Sequence, residues 1–204
     1  MTGVPQVPVA AAPSAWNVAN ALTVLRLVLV PVFLFALFQD DGESAGWRVV
    51  AFVAFAVAVV TDRIDGQLAR RHGLVTDFGK IADPIADKAL IGAALIGLSA
   101  LGELPWWVTA LVLVREIGVT ALRLVVIRHG VMPASRGGKL KTALQSLAIG
   151  LLVLPTEGWL NTVALAVMAV AVVVTLATGL DYVVRAVRLR RTSARTERKR
   201  ARRQ

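Results

Sequence analysis

Four aspartates, Asp62, Asp65, Asp83 and Asp87, stand in the stretch TDRIDGQLARRHGLVTDFGKIADPIADKAL, which runs from 61 to 90. The first two are three residues apart and the last two four apart, so on helices each pair lies on one face. Carried by two antiparallel helices, the faces converge and four carboxylates share one small volume. Left alone they would repel one another and take up protons, because an unpaired charge within a membrane is costly. Divalent cations remove that difficulty: carboxylate oxygens are hard donors suited to Mg²⁺ or Mn²⁺, and shared carboxylates bridge two ions roughly 3.5–4 Å apart. The spacing predicts a two-metal site. Surface aspartates capping helix ends are the plainer reading, and it suits Asp77 or Asp83 singly. It does not suit four at these spacings with Gly66, Ala69, Arg70 and Gly79 interleaved. Small residues let a planar or phosphorylated ligand approach the backbone, although Gly66 would also serve plain helix packing. Arg70 offers a bidentate grip on phosphate.

The elements that must position these residues are helices in lipid. The chain of 204 residues is 56% hydrophobic, with a mean hydropathy of +0.67. Its apolar runs of about 20 residues match a bilayer core. Ala, Leu and Val dominate in unbroken runs rather than in the short alternating segments of a β-barrel, so the chain reads as an all-α integral membrane protein. Six segments emerge, at about 17–38, 47–68, 80–101, 105–128, 140–156 and 159–187. The connections alternate between acidic or neutral (QDDGESAG, LGELP, PTEG) and basic (RRHGLVTDFGK, RHGVMPASRGGKLK and the C-terminal tail). Positive charge favours the cytoplasmic side, which places both termini and the aspartates' loop there, in a multi-pass protein of the cell membrane. Trp47, Trp106, Trp107 and Trp159 adjoin the acidic connections and Trp16 the opposite face, as interfacial anchors do. Pro31 is expected to kink the first span, and no repeat marks a transporter of inverted halves.

No cysteine is present, which excludes disulfides and thiolate metal sites and leaves oxygen or the two histidines as metal donors. Residues 1–15 read as a disordered cytoplasmic arm without the basic start of a cleavable signal peptide, and 16–187 as the membrane domain. The tail, 188–204, holds nine Lys or Arg against one Glu and so supplies +8 of the formal +10. With no aromatic residue interleaved, it reads as an anchor to anionic lipid headgroups rather than a nucleic-acid site.

From Asp62 to Asp87 the chain has the form D-x2-D-G-x2-A-R-x8-G-x3-D-x3-D. This string matches without departure the signature of the CDP-alcohol phosphatidyltransferase family, and the resemblance extends over the chain apart from its two tails. It implies a six-helix membrane enzyme, a homodimer in most members, with a polar cavity open to the cytoplasm. It also implies that Asp62, Asp65 and Asp83 bind two divalent ions, with Asp87 both a ligand and the general base. Gly66, Ala69, Arg70, Thr76 and Gly79 would hold the cytidine diphosphate part of a CDP-diacylglycerol donor. An alcohol then attacks the lipid-linked phosphorus and CMP leaves.

Asn20, Thr23 and Arg26, spaced by three at the cytoplasmic end of the first segment, are further candidates for donor phosphates, although Asn20 would equally cap a helix. Two clusters bear on the acceptor: LVREIGVTALRLVVIRHG carries Arg115, Glu116 and Arg123, and PASRGGKLKTALQ carries Arg136, Lys139, Lys141 and Gln145. Glu116 would neutralise a buried arginine by pairing with a neighbouring span. In the other reading, Arg115, Arg123, Lys139 and Lys141 form a cationic pocket for a phosphorylated second substrate, which a neutral alcohol would not require. These runs resemble the branch of the family whose acceptor is sn-glycerol 3-phosphate and whose product is phosphatidylglycerol phosphate. Inositol phosphate or phosphatidylglycerol would be alternative acceptors. Outside the family, the aspartates would line a divalent-cation transport path or bind a prenyl diphosphate. The first wants acids at mid-membrane and the second wants two separated clusters, whereas one cluster lies here at one face.

Overall fold

The computed structural model describes residues 18–72, 76–126, 136–155 and 158–201, and their side chains except those of 19, 65–72, 77–81, 84, 123, 124, 126, 136 and 190–201. Among the described residues there are six α-helices: α1 (Val18–Leu37), α2 (Ala45–His72), α3 (Asp77–Ala100), α4 (Trp106–Val126), α5 (Arg136–Val153) and α6 (Trp159–Ala201). The all-α expectation holds, and five of the six segments agree with the apolar runs to within a few residues. Over Asn20–Leu37, Ala45–Ile64 and Trp159–Leu189 the helices are long and apolar enough to cross a membrane. In α3, α4 and α5 the apolar run is interrupted by the charged residues singled out above, such as Asp83, Asp87, Arg115, Glu116 and Lys141.

The last helix departs from expectation. The apolar run ends near 187, yet α6 continues to Ala201. No Gly or Pro falls between 181 and 204, and Arg, Ala and Glu are good helix formers, so loss of apolarity does not end the helix. Asp83 and Asp87 sit in the second and third turns of α3, which begins at Asp77. That position removes the capping reading for Asp83.

α1 packs along α2 and α3, while α6 packs along α5 and α4. Phe33, Leu37, Phe55, Leu95, Leu98, Ile149 and Met168 are buried between them. Outward-facing Phe35, Val114, Trp159 and Leu180 remain exposed, which is the arrangement lipid requires. Pro31 lies inside α1, which runs unbroken to Leu37.

The end of the bundle remote from the aspartates is tied by Arg48. Its guanidinium makes a two-armed ion pair with Glu103 in the α3–α4 connection and donates to the carbonyls of Leu152 (2.7 Å) and Val153 (3.0 Å) at the end of α5. A further bond reaches the Gly42 carbonyl at 3.2 Å, in a 3-10 turn over Gln39–Gly42. In that turn Asp40, Asp41 and Gly42 all have positive φ, at 50°, 54° and 81°. At Gly42 the positive φ favours glycine, and a Cβ there would also stand 2.8 Å from a Leu101 methyl. One side chain thus satisfies carbonyls that α5 leaves unpaired and fixes three connections at once. Arg48→Ala is expected to cost about 2–3 kcal/mol of stability. Thermal unfolding in detergent micelles checks this, with activity per folded molecule retained.

Candidate active site

Three polar side chains of α1 lie on one helical face, and each is buried: Asn20, Thr23 and Arg26. All three meet the aspartate motif or its loop. Arg26 Nη1 lies 2.7 Å from Asp62 Oδ1 on α2, and Thr23 Oγ1 donates to Asp83 Oδ1 on α3 at 2.5 Å. Thr76 Oγ1 donates to Asn20 Oδ1 at 2.9 Å, just before α3 begins. The start of α1 is therefore the strut that sets the distance between the two aspartate-bearing helices.

A second polar group joins α4, α5 and α6. Glu116 Oε1 accepts from Arg115 Nη1 at 2.9 Å and from Lys141 Nζ, which is itself buried. The Arg115 guanidinium is aimed by α6: Nε donates to the Thr175 carbonyl at 3.2 Å and Nη2 to Thr178 Oγ1 at 2.8 Å. Its aliphatic stem crosses Gly179, where a Cβ would stand 3.3 Å from Arg115 Cγ. Glycine allows that close approach. One turn beyond Lys141, Gln145 is buried with its Nε2 lacking a hydrogen-bond partner among the described residues.

The aspartates held by α1 and the group around Glu116 face one cavity of about 710 Å³, within the usual range of about 300–1,000 Å³ for small-molecule sites. Asp62, Asp83 and Asp87 line one side, and Arg115, Lys139 and Lys141 line it from α4 and α5. Asp87 has Asp62, Arg26, Lys141 and Glu116 as its charged neighbours, so it stands between the two groups. Such a cavity can hold a polyphosphate near the carboxylates if cations mediate, and a second anion near the lysine and arginine without them.

The CDP-alcohol phosphatidyltransferase family matches residues 16–177. The chain belongs to that family. A probable phosphatidylglycerophosphate synthase of Mycobacterium tuberculosis is 63% identical over 172 residues, covering 84% of this chain and 82% of the relative. Proteins named CDP-diacylglycerol–glycerol-3-phosphate 3-phosphatidyltransferase are similar too. The one from Rickettsia felis is 36% identical over 172 residues, and the one from Bacillus subtilis 35% over 180; each alignment covers 93% of the relative.

For a member of this family the residues divide as follows. Asp62, Asp83, Asp87, Arg115, Lys139 and Lys141 line the cavity. Asn20 and Thr76 pair with each other and are not among its lining residues. The side chains at Asp65, Gly66, Ala69, Arg70, Gly79 and Arg123 lie outside the described residues. Among the described residues no three acidic or histidine side chains stand close enough to hold one ion. In donor chemistry the set nonetheless fits a divalent cation: three carboxylates face one cavity, and Asp65 follows Asp62 by three residues on α2. Lys88, Thr120 and Tyr182 also line the cavity and were not singled out from sequence. Thr175, Thr178 and Tyr182 are spaced three and four apart along α6, a polar stripe on one face that would have identified the side turned to the cavity.

Gly179→Val should push the Arg115 stem off α6 while leaving the carboxylate side intact. The expected result is roughly threefold or greater weakening of inorganic phosphate binding, read from the phosphate-induced rise in melting temperature.

Proposed function

We propose that this protein transfers the phosphatidyl group of CDP-diacylglycerol to sn-glycerol 3-phosphate, giving phosphatidylglycerol phosphate and CMP. The observation that carries the reading is the pairing, in one cavity, of a carboxylate group on α2 and α3 with a buried lysine on α5 and a partly buried arginine on α4. The names of the similar proteins supply the same donor and acceptor.

In this reading the diphosphate of the donor lies against Asp62, Asp65, Asp83 and Asp87, with Gly66, Ala69, Arg70 and Gly79 around the cytidine diphosphate. Asn20 of α1 braces that region through its bond with Thr76, which stands just before α3. Those four aspartates would hold two divalent cations, Mg²⁺ or Mn²⁺, whose contribution is to neutralise the diphosphate and its developing charge. The acceptor phosphate is held by Arg115, Lys139 and Lys141, with Arg123 joining them, which presents the alcohol toward Asp87. Asp87 takes the hydroxyl proton. The alcohol oxygen then bonds to the phosphatidyl phosphorus as the bond from that phosphorus to the CMP oxygen breaks.

All six helices are proposed to cross the membrane, with the cavity and both termini on the cytoplasmic side. The charge pattern of the connections supports this orientation. It gives the donor lipid for its acyl tails and water for its nucleotide. A homodimer is proposed on the family resemblance. Inositol phosphate would use the same cationic group, and phosphatidylglycerol would need a neutral hydroxyl presented beside it. A divalent-cation path is the poorer reading, because Lys141 and Arg115 line the same cavity as the carboxylates and would repel the ion.

The test is CMP release by purified protein with CDP-diacylglycerol and Mg²⁺ or Mn²⁺, offering glycerol 3-phosphate, inositol phosphate and phosphatidylglycerol separately. Release with glycerol 3-phosphate alone is expected; release only with another acceptor would overturn the assignment. Asp87→Asn should lower turnover by at least about a hundredfold with the fold intact. Arg115→Ala should raise the acceptor KM about tenfold or more and leave the donor KM within about twofold.

A further inference from the structure

Arg115 and Lys141 approach the cavity from different helices and converge on a single atom, Oε1 of Glu116. Two cations meeting at one anionic oxygen is the geometry of a phosphate site, here filled by a side chain of the protein. The contact with Arg115 is no ordinary helix pair, because adjacent residues on a helix do not face each other. Both side chains bend to reach the same point, and Arg115 is steered there by its bonds to Thr175 and Thr178 of α6.

Nor is the pair with Lys141 a core staple. α4 packs against α6 and α3, and α5 against α6, α2 and α3; residues of both α4 and α5 line the cavity. Glu116 reaches Lys141 across that space, and its side chain keeps 22% exposure where that of Lys141 keeps 6%. Lys141 is buried and Arg115 is held by its bonds to α6 with 12% of its side chain exposed, while the carboxylate is the most exposed of the three.

We propose that Glu116 is the resting occupant of the acceptor's phosphate site, a carboxylate that the incoming phosphorylated alcohol must displace. This rests on the acceptor reading above. Without substrate, Glu116 offsets the charge of Arg115 and Lys141 and holds both aimed at the place the phosphate will take. A phosphate dianion, with three oxygens for the same donors, outcompetes one carboxylate oxygen. A neutral alcohol does not, so the site stays closed to it. Glu116 is thus a specificity-determining and positioning residue: it lowers apparent acceptor affinity by the fraction of time it fills the site, and excludes acceptors that lack a phosphate.

The test is Glu116→Gln in the full-length protein. Glutamine keeps the size and one acceptor oxygen but not the charge. The acceptor KM is expected to fall about fivefold and inhibition by inorganic phosphate to strengthen by a similar factor, with the donor KM unchanged. Inorganic phosphate alone should also raise the variant's melting temperature more than the wild type's, a readout that needs no turnover. An acceptor KM that is unchanged or raised in folded Glu116→Gln, or donor and acceptor KM moving together, would overturn the proposal. Glu116→Ala should shift both readouts in the same direction. Failure of both variants to fold also contradicts the proposal, since a displaceable occupant cannot be needed for the fold. Wild-type protein that releases no CMP with glycerol 3-phosphate would remove the acceptor reading instead, leaving the phosphate-binding comparison to judge Glu116 by itself.

Discussion

Arg26 is wholly buried, and its guanidinium stands 2.7 Å from Asp62. Breaking such a pair by losing one member leaves an uncompensated charge, at a cost of several kcal/mol, and the membrane setting raises the stakes further. The bond therefore fixes the register of α1 against α2. Thr23 does the same against α3 through Asp83, one turn along the same helix. From these two contacts follows the placement of the aspartate motif: two helices joined by a loop are held at a set separation by a third helix wedged at their polar ends. The apolar packing of Phe33, Leu37, Phe55 and Leu95 below them suits many helix arrangements, whereas the polar contacts suit one.

The same constraint governs the opposite side of the cavity. Lys141 and Arg115 are tolerated in an apolar bundle because Glu116 and the Thr175 carbonyl meet their donors. At the far end Arg48 answers to Glu103 and to the open carbonyls of α5. Arg48, Arg115 and Lys141 are thus all matched by groups of the protein itself. Function in this view consists of exchanging some of those partners: substrate phosphates arrive already charged, and groups held ready by side chains need little rearrangement to receive them.

Much of this was legible in the sequence, for reasons that differ by element. The helices were read from apolar runs bounded by charge, which works because lipid demands continuous helices. The end of α6 was not, since apolarity reports the membrane and not the hydrogen-bonded backbone that continues to Ala201. Asp62, Asp83 and Asp87, singled out by spacing, line one cavity, and the spacing was readable because Asp62 and Asp65 lie on α2 and Asp83 and Asp87 on α3. Contacts between distant helices left little periodic signal. Arg48 looks from sequence like an interfacial cation beside Trp47, and only the fold brings the end of α5, more than a hundred residues away, to it. Glu116 was legible as a partner for a buried arginine. That it would serve Arg115 and Lys141 at one oxygen was not, because the convergence depends on how α4, α5 and α6 surround a cavity.

The proposed chemistry depends on where the two substrates lie relative to each other. The most direct measurement is an experimental structure of the protein with a non-transferable CDP-diacylglycerol analogue, Mn²⁺ and glycerol 3-phosphate. Metal density is expected among Asp62, Asp65, Asp83 and Asp87, and the acceptor phosphate bonded to Arg115 and Lys141 with its alcohol toward Asp87. Glycerol 3-phosphate bound away from Arg115 and Lys141, or metal bound away from the aspartates, would contradict that chemistry.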